Sequence, residues 1–245
     1  GIKPDFLLTR PKVKGIFICG TDTGVGKTMI TGCLARYLRE RGYGVITQKW
    51  LQTGYNSKFP SDLELHLRIM GKNVSQIKKY LPYAAPYVFK GAFSPHLASR
   101  IENKSINAGK IIKSFKLLSR EFDVVIVEGI GGALVPFSKK QLVVDIVKRL
   151  GLPVLVVAGN RLGAINHTLM TVEVLRKRNI EIAGIIFNNF EKENIRVLED
   201  NPSIVASLTK EKVFGCLPWV ESRHKLYQKF IPIGKEILKE LSADG

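Results

Sequence analysis

Short apolar runs alternate along this chain with longer stretches in which apolar residues recur every three or four positions. The runs at 15–19, 43–49, 123–128, 153–158, 181–187 and 213–217 read as strands. They are nearly continuous in apolar residues rather than alternating, which is the pattern of strands covered on both faces of a parallel sheet. Helical spacing follows them. Ile30, Cys33, Leu34, Tyr37 and Leu38 mark a helix over 29–41, stopped by Gly42. Further helices are predicted over 106–120, 141–150 and 163–179. A short one covers 62–70, with Ser61 or Asp62 as its cap, and Ser94-Pro95-His96 opens another. Residues 192–208 read as partly helical with an interruption at Pro202, and 222–241 as a helical tail broken by Pro232. The alternation predicts an α/β fold: one domain spanning 1–245, a parallel sheet with helices on both faces and right-handed crossovers. Residues 1–13 read as a poorly ordered lead-in. Residues 55–104 break the alternation with an aromatic, proline-punctuated excursion, and excursions of that length are often functional.

The chemistry concentrates after the first strand. Gly20-Thr21-Asp22-Thr23-Gly24-Val25-Gly26-Lys27-Thr28 fills every fixed position of G-x-x-x-x-G-K-[ST], with a strand before it and a helix after it. Glycines let a backbone wrap a phosphate chain with its N–H groups pointing inward, and the helix N-terminus adds positive potential. Lys27 reaches the β- and γ-phosphates of a nucleotide, and the Thr28 hydroxyl suits Mg²⁺. Glu128 ends a buried strand and precedes Gly-Ile-Gly-Gly, the position of a Walker-B-type acid for Mg²⁺. Asp62 reads either as a second metal ligand or as a helix cap. Lys49 ends the second strand, where ligands of parallel sheets collect, and reads as catalytic or as surface. Asn188 and Asn189 suit either a turn or an adenine edge. His167 has no histidine one turn away, so no zinc site is predicted, and no nucleophile elbow or Cys/His pair stands out.

Composition narrows the picture in three ways. No apolar run approaches the ~18 residues of a membrane span. The three cysteines, Cys19, Cys33 and Cys216, sit in apolar settings and read as buried small side chains in a reducing cytoplasm. The net charge of +17 invites a polyanion. Lys and Arg are scattered over nearly every helix, however, without a dense basic run interleaved with aromatics, so a solvated basic surface is the reading rather than nucleic-acid binding.

The ordered set of motifs resembles dethiobiotin synthetase. Beyond the phosphate loop, Lys49-Trp50-Leu51-Gln52-Thr53-Gly54 is similar to that family's K-P-[VI]-x-[ST]-G, with Asp62 at the expected distance. Ala85-Pro86-Tyr87-Val88-Phe89, Ser94-Pro95-His96 and Val127-Glu128-Gly129-Ile130-Gly131-Gly132 resemble its P-Y-x-F, S-P-H and V-E-G-A-G-G signatures. Leu162-Gly163-Ala164-Ile165-Asn166-His167 resembles L-G-x-I-N-H, and Asn188 with Leu217-Pro218-Trp219 resembles the nucleotide-end motifs. Two positions depart from the pattern. Trp50 stands where the family has proline, and Gly24 where some members have an acid.

The resemblance implies ATP-dependent closure of a ureido ring on 7,8-diaminononanoate with CO₂. Lys27 and Lys49 would be the catalytic cations, and Thr28, Asp62 and Glu128 the Mg²⁺ ligands. ATP would contact Thr21, Asp22, Thr23, Gly24, Val25, Gly26, Lys27 and Thr28, with Asn188, Leu217, Pro218 and Trp219 at the base. Thr53 and Lys49 would meet the substrate. The protein would be a cytoplasmic homodimer, with Gly163, Ala164, Ile165 and Asn166 at a helix N-terminus receiving the substrate carboxylate across the interface. A partition-type switch ATPase is the alternative from another class. Its signature lysine, five residues before the loop lysine, is here Asp22, and Pro232 argues against a terminal membrane helix. An amidotransferase synthetase would need a glutaminase domain for which the chain has no room.

Overall fold

Six strands form the central sheet: β1 (Gly15–Gly20), β2 (Val45–Lys49), β5 (Val124–Glu128), β6 (Val154–Gly159), β7 (Ile182–Asn188) and β8 (Val213–Leu217), in the order β2-β5-β1-β6-β7-β8. Every neighbouring pair is parallel. The computed structural model describes residues 13–54, 61–190 and 192–242. The lead-in expected over 1–13 lies outside those residues except for Val13.

Alternate strand residues feed two separate cores. Phe17, Val125, Val127, Val154, Val156 and Phe187 face α5 (Ala108–Glu121), α6 (Val143–Leu150) and α7 (Ala164–Lys177). Ile16, Ile18, Val124, Ile126, Leu155 and Ile186 face α1 (Lys27–Arg39) and α9 (Arg223–Ser242). The period of two in strands thus sends neighbouring residues to opposite layers, and each fully buried Ile or Leu contributes about 1.5–3 kcal/mol. This layering is what the continuous apolar runs predict.

The excursion carries the two short helices expected of it, α2 (Ser61–Ile69) and α4 (Pro95–Ile101), together with elements the periodicity did not show. A two-residue strand after Trp50, β3 (Leu51–Gln52), pairs in parallel with β4 (Tyr87–Val88) in a small second sheet. Between them lie α2, a 3-10 turn over Val74–Tyr80 and α3 (Leu81–Ala84); α4 follows. Trp50, the departure from the family pattern, is buried against Phe17 with ring centroids 5.3 Å apart. Its indole N–H donates to Gln48 Oε1 at 2.8 Å, and Gln48 Nε2 donates to the Tyr83 carbonyl at the same distance. Trp50 therefore ties the end of β2 to the core and to the excursion.

Three expectations need correction. Helix α8 (Ile195–Thr209) runs through Pro202 without a break. The proline ring removes the N–H that would have bonded the Leu198 carbonyl, and Asn160 Nδ2 donates to that carbonyl instead, at 2.9 Å. Helix α9 likewise continues through Pro232, and its apolar stripe of Tyr227, Phe230, Ile233, Ile237 and Leu241 is buried. Packing of that stripe outweighs the lost hydrogen bond, so Pro232 is not what argues against a membrane helix. Among the described residues no helix is long and apolar enough to cross a membrane. Finally, Cys19 and Cys33 are buried but Cys216 is exposed, because it lies on the edge strand β8.

Candidate nucleotide and metal site

The carboxyl ends of β1, β2 and β5 open into one cavity of about 460 Å³, lined by Thr23, Lys27, Thr28, Lys49, Thr53, Asp62 and Glu128 among others. The loop between β1 and α1 turns through two left-handed glycines, Gly24 (φ +77°) and Gly26 (φ +100°). At Gly26 the need is double, since a Cβ there would sit 2.2 Å from Asn188 Nδ2. Helix α1 starts at Lys27, two residues earlier than its apolar spacing indicates, so its free N–H groups face the loop. Lys27 is buried, and its ammonium donates to the Asp22 carbonyl at 2.9 Å within the loop. Burial and, secondarily, the nearby Lys49 charge lower its pKa.

Lys49 and Glu128 meet across the β2–β5 ladder, where they are register partners. Lys49 Nζ lies 2.8 Å from Glu128 Oε1 and 2.9 Å from Asp62 Oδ2, and donates to the Gly129 carbonyl at 2.8 Å. Thr28 Oγ1 donates to the same Glu128 Oε1 at 3.0 Å. Asp62 lies in the first turn of α2 and sends its carboxylate to Lys49 rather than acting as a helix cap. Burial opposes the charge of both strand-end groups. For Glu128 the Lys49 ammonium and the His66 hydrogen bond overcome it, and the carboxyl is held down to about 2. For Lys49 the two carboxylates overcome it, and the pKa is raised.

Hydroxyl and carboxylate oxygens gathered beside a phosphate loop are the hard donor set Mg²⁺ prefers, with remaining positions left to water and phosphate. Thr28, Asp62 and Glu128 fit that ion by the chemistry of their donors.

Sequence reasoning missed His66. It lies one turn after Asp62 on α2, is fully buried, and places Nε2 2.6 Å from Glu128 Oε2. The i, i+4 spacing from Asp62 was the available signal, since both then face the same way. Also missed was Asn160, buried at the end of β6. Its Nδ2 donates to Asn189 Oδ1 at 2.8 Å, and its Oδ1 accepts from Asn201 Nδ2 at 2.9 Å.

The remaining predicted residues lie apart. Asn188 is buried behind the loop, with Nδ2 donating to the Val25 carbonyl at 2.9 Å. Leu217 pairs beside it in the sheet, Pro218 follows, and Trp219 is 64% exposed. Thr21 lines a second cavity, of about 470 Å³, with Leu134, His167, Met170, Val174 and Lys177. Gly163, Ala164, Ile165 and Asn166, at the start of α7, line neither cavity.

Known proteins resemble this chain in sequence and in fold. The family described as "AAA domain" matches residues 14–225. The chain is 37% identical over 207 residues to an ATP-dependent dethiobiotin synthetase of Anaeromyxobacter sp. (strain K), covering 84% of this chain and 91% of that protein. It is 38% identical over 186 residues to one from Haemophilus influenzae, covering 76% of this chain and 96% of that protein. Among solved structures, the cell-division MinC:MinD complex of Aquifex aeolicus superposes with a TM-score of 0.56 at 13% identity, covering 94% of each chain. A ParA family ATPase from Chlorobium tepidum gives 0.54 at 14% identity, covering 94% of this chain and 98% of that one. At such identities the likeness is one of fold alone.

Proposed function

The chain belongs to the ATP-dependent dethiobiotin synthetase family, and from that premise we propose that it is an ATP-dependent ligase closing the ureido ring of dethiobiotin on 7,8-diaminononanoate with CO₂. The observation that carries the reading is the convergence of Lys27, Lys49, Thr28, Asp62, Glu128 and Thr53 on one cavity beside the phosphate loop.

An amine of the diamine adds to CO₂ and loses a proton, giving a carbamate. A carbamate oxygen attacks the γ-phosphorus and ADP leaves. The second amine then attacks the carbamoyl carbon, expelling phosphate and closing the ring. The protein's part is positioning and charge neutralisation. The loop amides of residues 23–28 cradle the phosphates, and Lys27 exchanges its contact with the Asp22 carbonyl for them. Lys49, already raised in pKa and hence charged, faces the carbamate and the transferring phosphoryl group. Thr53, at the exit of β3, contacts the substrate. Thr28, Asp62 and Glu128 would hold Mg²⁺, which would supply charge neutralisation for the phosphate chain. Asn188 Oδ1 accepts from the adenine amine, because Nδ2 is engaged with the loop, and Leu217, Pro218 and Trp219 flank the base.

A homodimer completes the site in this reading. Leu134, Leu162 and Met170 are large apolar side chains left exposed near the second cavity and α7, which suits a face covered by a second copy. The N-terminus of α7 at Gly163 to Asn166 then receives the substrate carboxylate held by the other subunit.

The test is phosphate release from Mg·ATP with 7,8-diaminononanoate, with and without bicarbonate. Release that requires both, with dethiobiotin identified by mass spectrometry, is expected. Release independent of the diamine contradicts the reading and points to a switch ATPase.

A further inference from the structure

His66 takes no part in the reaction described above, yet its imidazole is fully enclosed at the deepest point of the charged cluster. Nε2 lies 2.6 Å from Glu128 Oε2. An ionised carboxylate only accepts hydrogen bonds, so Nε2 carries the proton. Nδ1, on the other side of the ring, is buried with no hydrogen-bond partner. Burying an orphaned ring nitrogen is costly, and a leucine would fill the same volume without it. The ring is therefore kept for its single contact. That contact occupies Oε2, while Oε1 accepts from both Thr28 Oγ1 and Lys49 Nζ. With Asp62 one turn earlier bound to Lys49, helix α2 grips both members of the Lys49–Glu128 pair.

We propose that His66 is a positioning residue for Glu128: it fixes Oε2 so that Oε1 stays aligned with the Thr28 hydroxyl, and it thereby sets the affinity of the site for divalent cations. This rests on the reading of Glu128 as a metal ligand. Removing a group that orients a metal-binding side chain typically weakens binding by about 10- to 100-fold.

The experiment is a Mn²⁺ titration of the full chain with ADP, read as loss of the free-ion EPR signal. His66→Gln puts an amide N–H near the depth of Nε2, whereas His66→Asn stops short of Glu128. The expectation is about tenfold or greater weakening in H66N and less than about threefold in H66Q, with metal-free ADP affinity equal in all three proteins. Should H66N fail to fold, His66→Leu supplies the same contrast and the same expected loss. Wild-type Mn²⁺ affinity in H66N (or in H66L) overturns the proposal, and so does equal weakening in H66Q, which would mean general packing. Glu128→Gln separates the two readings. If E128Q weakens Mn²⁺ binding and H66N does not, only the role of His66 falls. If E128Q binds Mn²⁺ as wild type does, the metal role of Glu128 falls and takes that of His66 with it.

Discussion

Lys49 and Glu128 are register partners at the carboxyl ends of adjacent parallel strands, and their side chains close a 2.8 Å ion pair that is almost wholly buried. Breaking a buried pair from one side leaves an uncompensated charge, at a typical cost of about 3–5 kcal/mol. Lys49→Ala is therefore expected to lower the unfolding free energy by that order. Turnover should fall by about 10²–10³, the usual loss when a preorganised charge facing the reacting group is removed. ATP affinity should change far less, because in the proposed reading Lys27 and the loop amides, not Lys49, hold the phosphates. Urea unfolding, steady-state turnover below the variant's melting range and calorimetric ATP binding test the three parts. Near wild-type turnover would show that Lys49 is only a structural counter-ion.

Gly26 is the position where the phosphate loop is least tolerant. Its φ of +100° disfavours any side chain, and a Cβ would lie 2.2 Å from Asn188 Nδ2. The Gly26→Ala protein must move Asn188 off the Val25 carbonyl or reshape the loop. We expect a stability loss of about 1–3 kcal/mol and a larger proportional loss of nucleotide affinity. A thermal melt with and without ATP separates the two. Equal ligand-induced stabilisation in variant and wild type would show that the loop accommodates the methyl group.

The sheet, its parallel sense and the phosphate loop were legible because each rests on local pattern. Continuous apolar runs need two covered faces, and the glycine-lysine spacing needs a strand and a helix around it. Glu128 and Lys49 were legible as strand-end polar residues, although not their register, which depends on strand order. The paths through Pro202 and Pro232 were not legible. Local rules break a helix at proline, whereas here the Asn160 side chain, 38 positions before Leu198, takes that residue's freed carbonyl. His66 was hidden for a related reason: a histidine on an amphipathic helix reads as surface until the fold puts a carboxylate under it. The small β3–β4 sheet was too short for a period to register.

The acid sensitivity of the metal-free protein follows from Glu128. Its carboxyl is held at about 2, against an ordinary value of 4.5. Between those values the unfolded chain binds a proton that the native protein does not. Stability from this group is thus complete above about pH 4.5 and is lost as pH falls toward 2. The raised pKa of Lys49 adds nothing to the slope there, since that group is protonated in both states. Glu128→Gln lacks the titration. The stability gap between wild type and E128Q should shrink as pH is lowered through this window, as read from urea midpoints. A gap that stays constant would assign the acid transition to other carboxylates.

Asn160 offers a test of structure separated from chemistry. Its amide nitrogen serves the Leu198 carbonyl that Pro202 leaves free and the Asn189 side chain, while its oxygen accepts from Asn201. Asn160→Ala takes the donor from the half-buried Leu198 carbonyl and one of two acceptors from the buried Asn201 amide, whose nitrogen keeps the Arg161 carbonyl at 3.0 Å. Leaving the one carbonyl unpaired costs about 1–3 kcal/mol. The variant should therefore lose about 1–3 kcal/mol, with α8 the first element to open. Hydrogen exchange should show the early loss of protection between Ile195 and Thr209. Replacing Pro202 by alanine restores the helical N–H, gives the Leu198 carbonyl a backbone partner and relieves part of the loss. The double variant N160A/P202A should be more stable than N160A alone. If the two substitutions prove additive, Asn160 is not the partner that lets α8 pass through its proline.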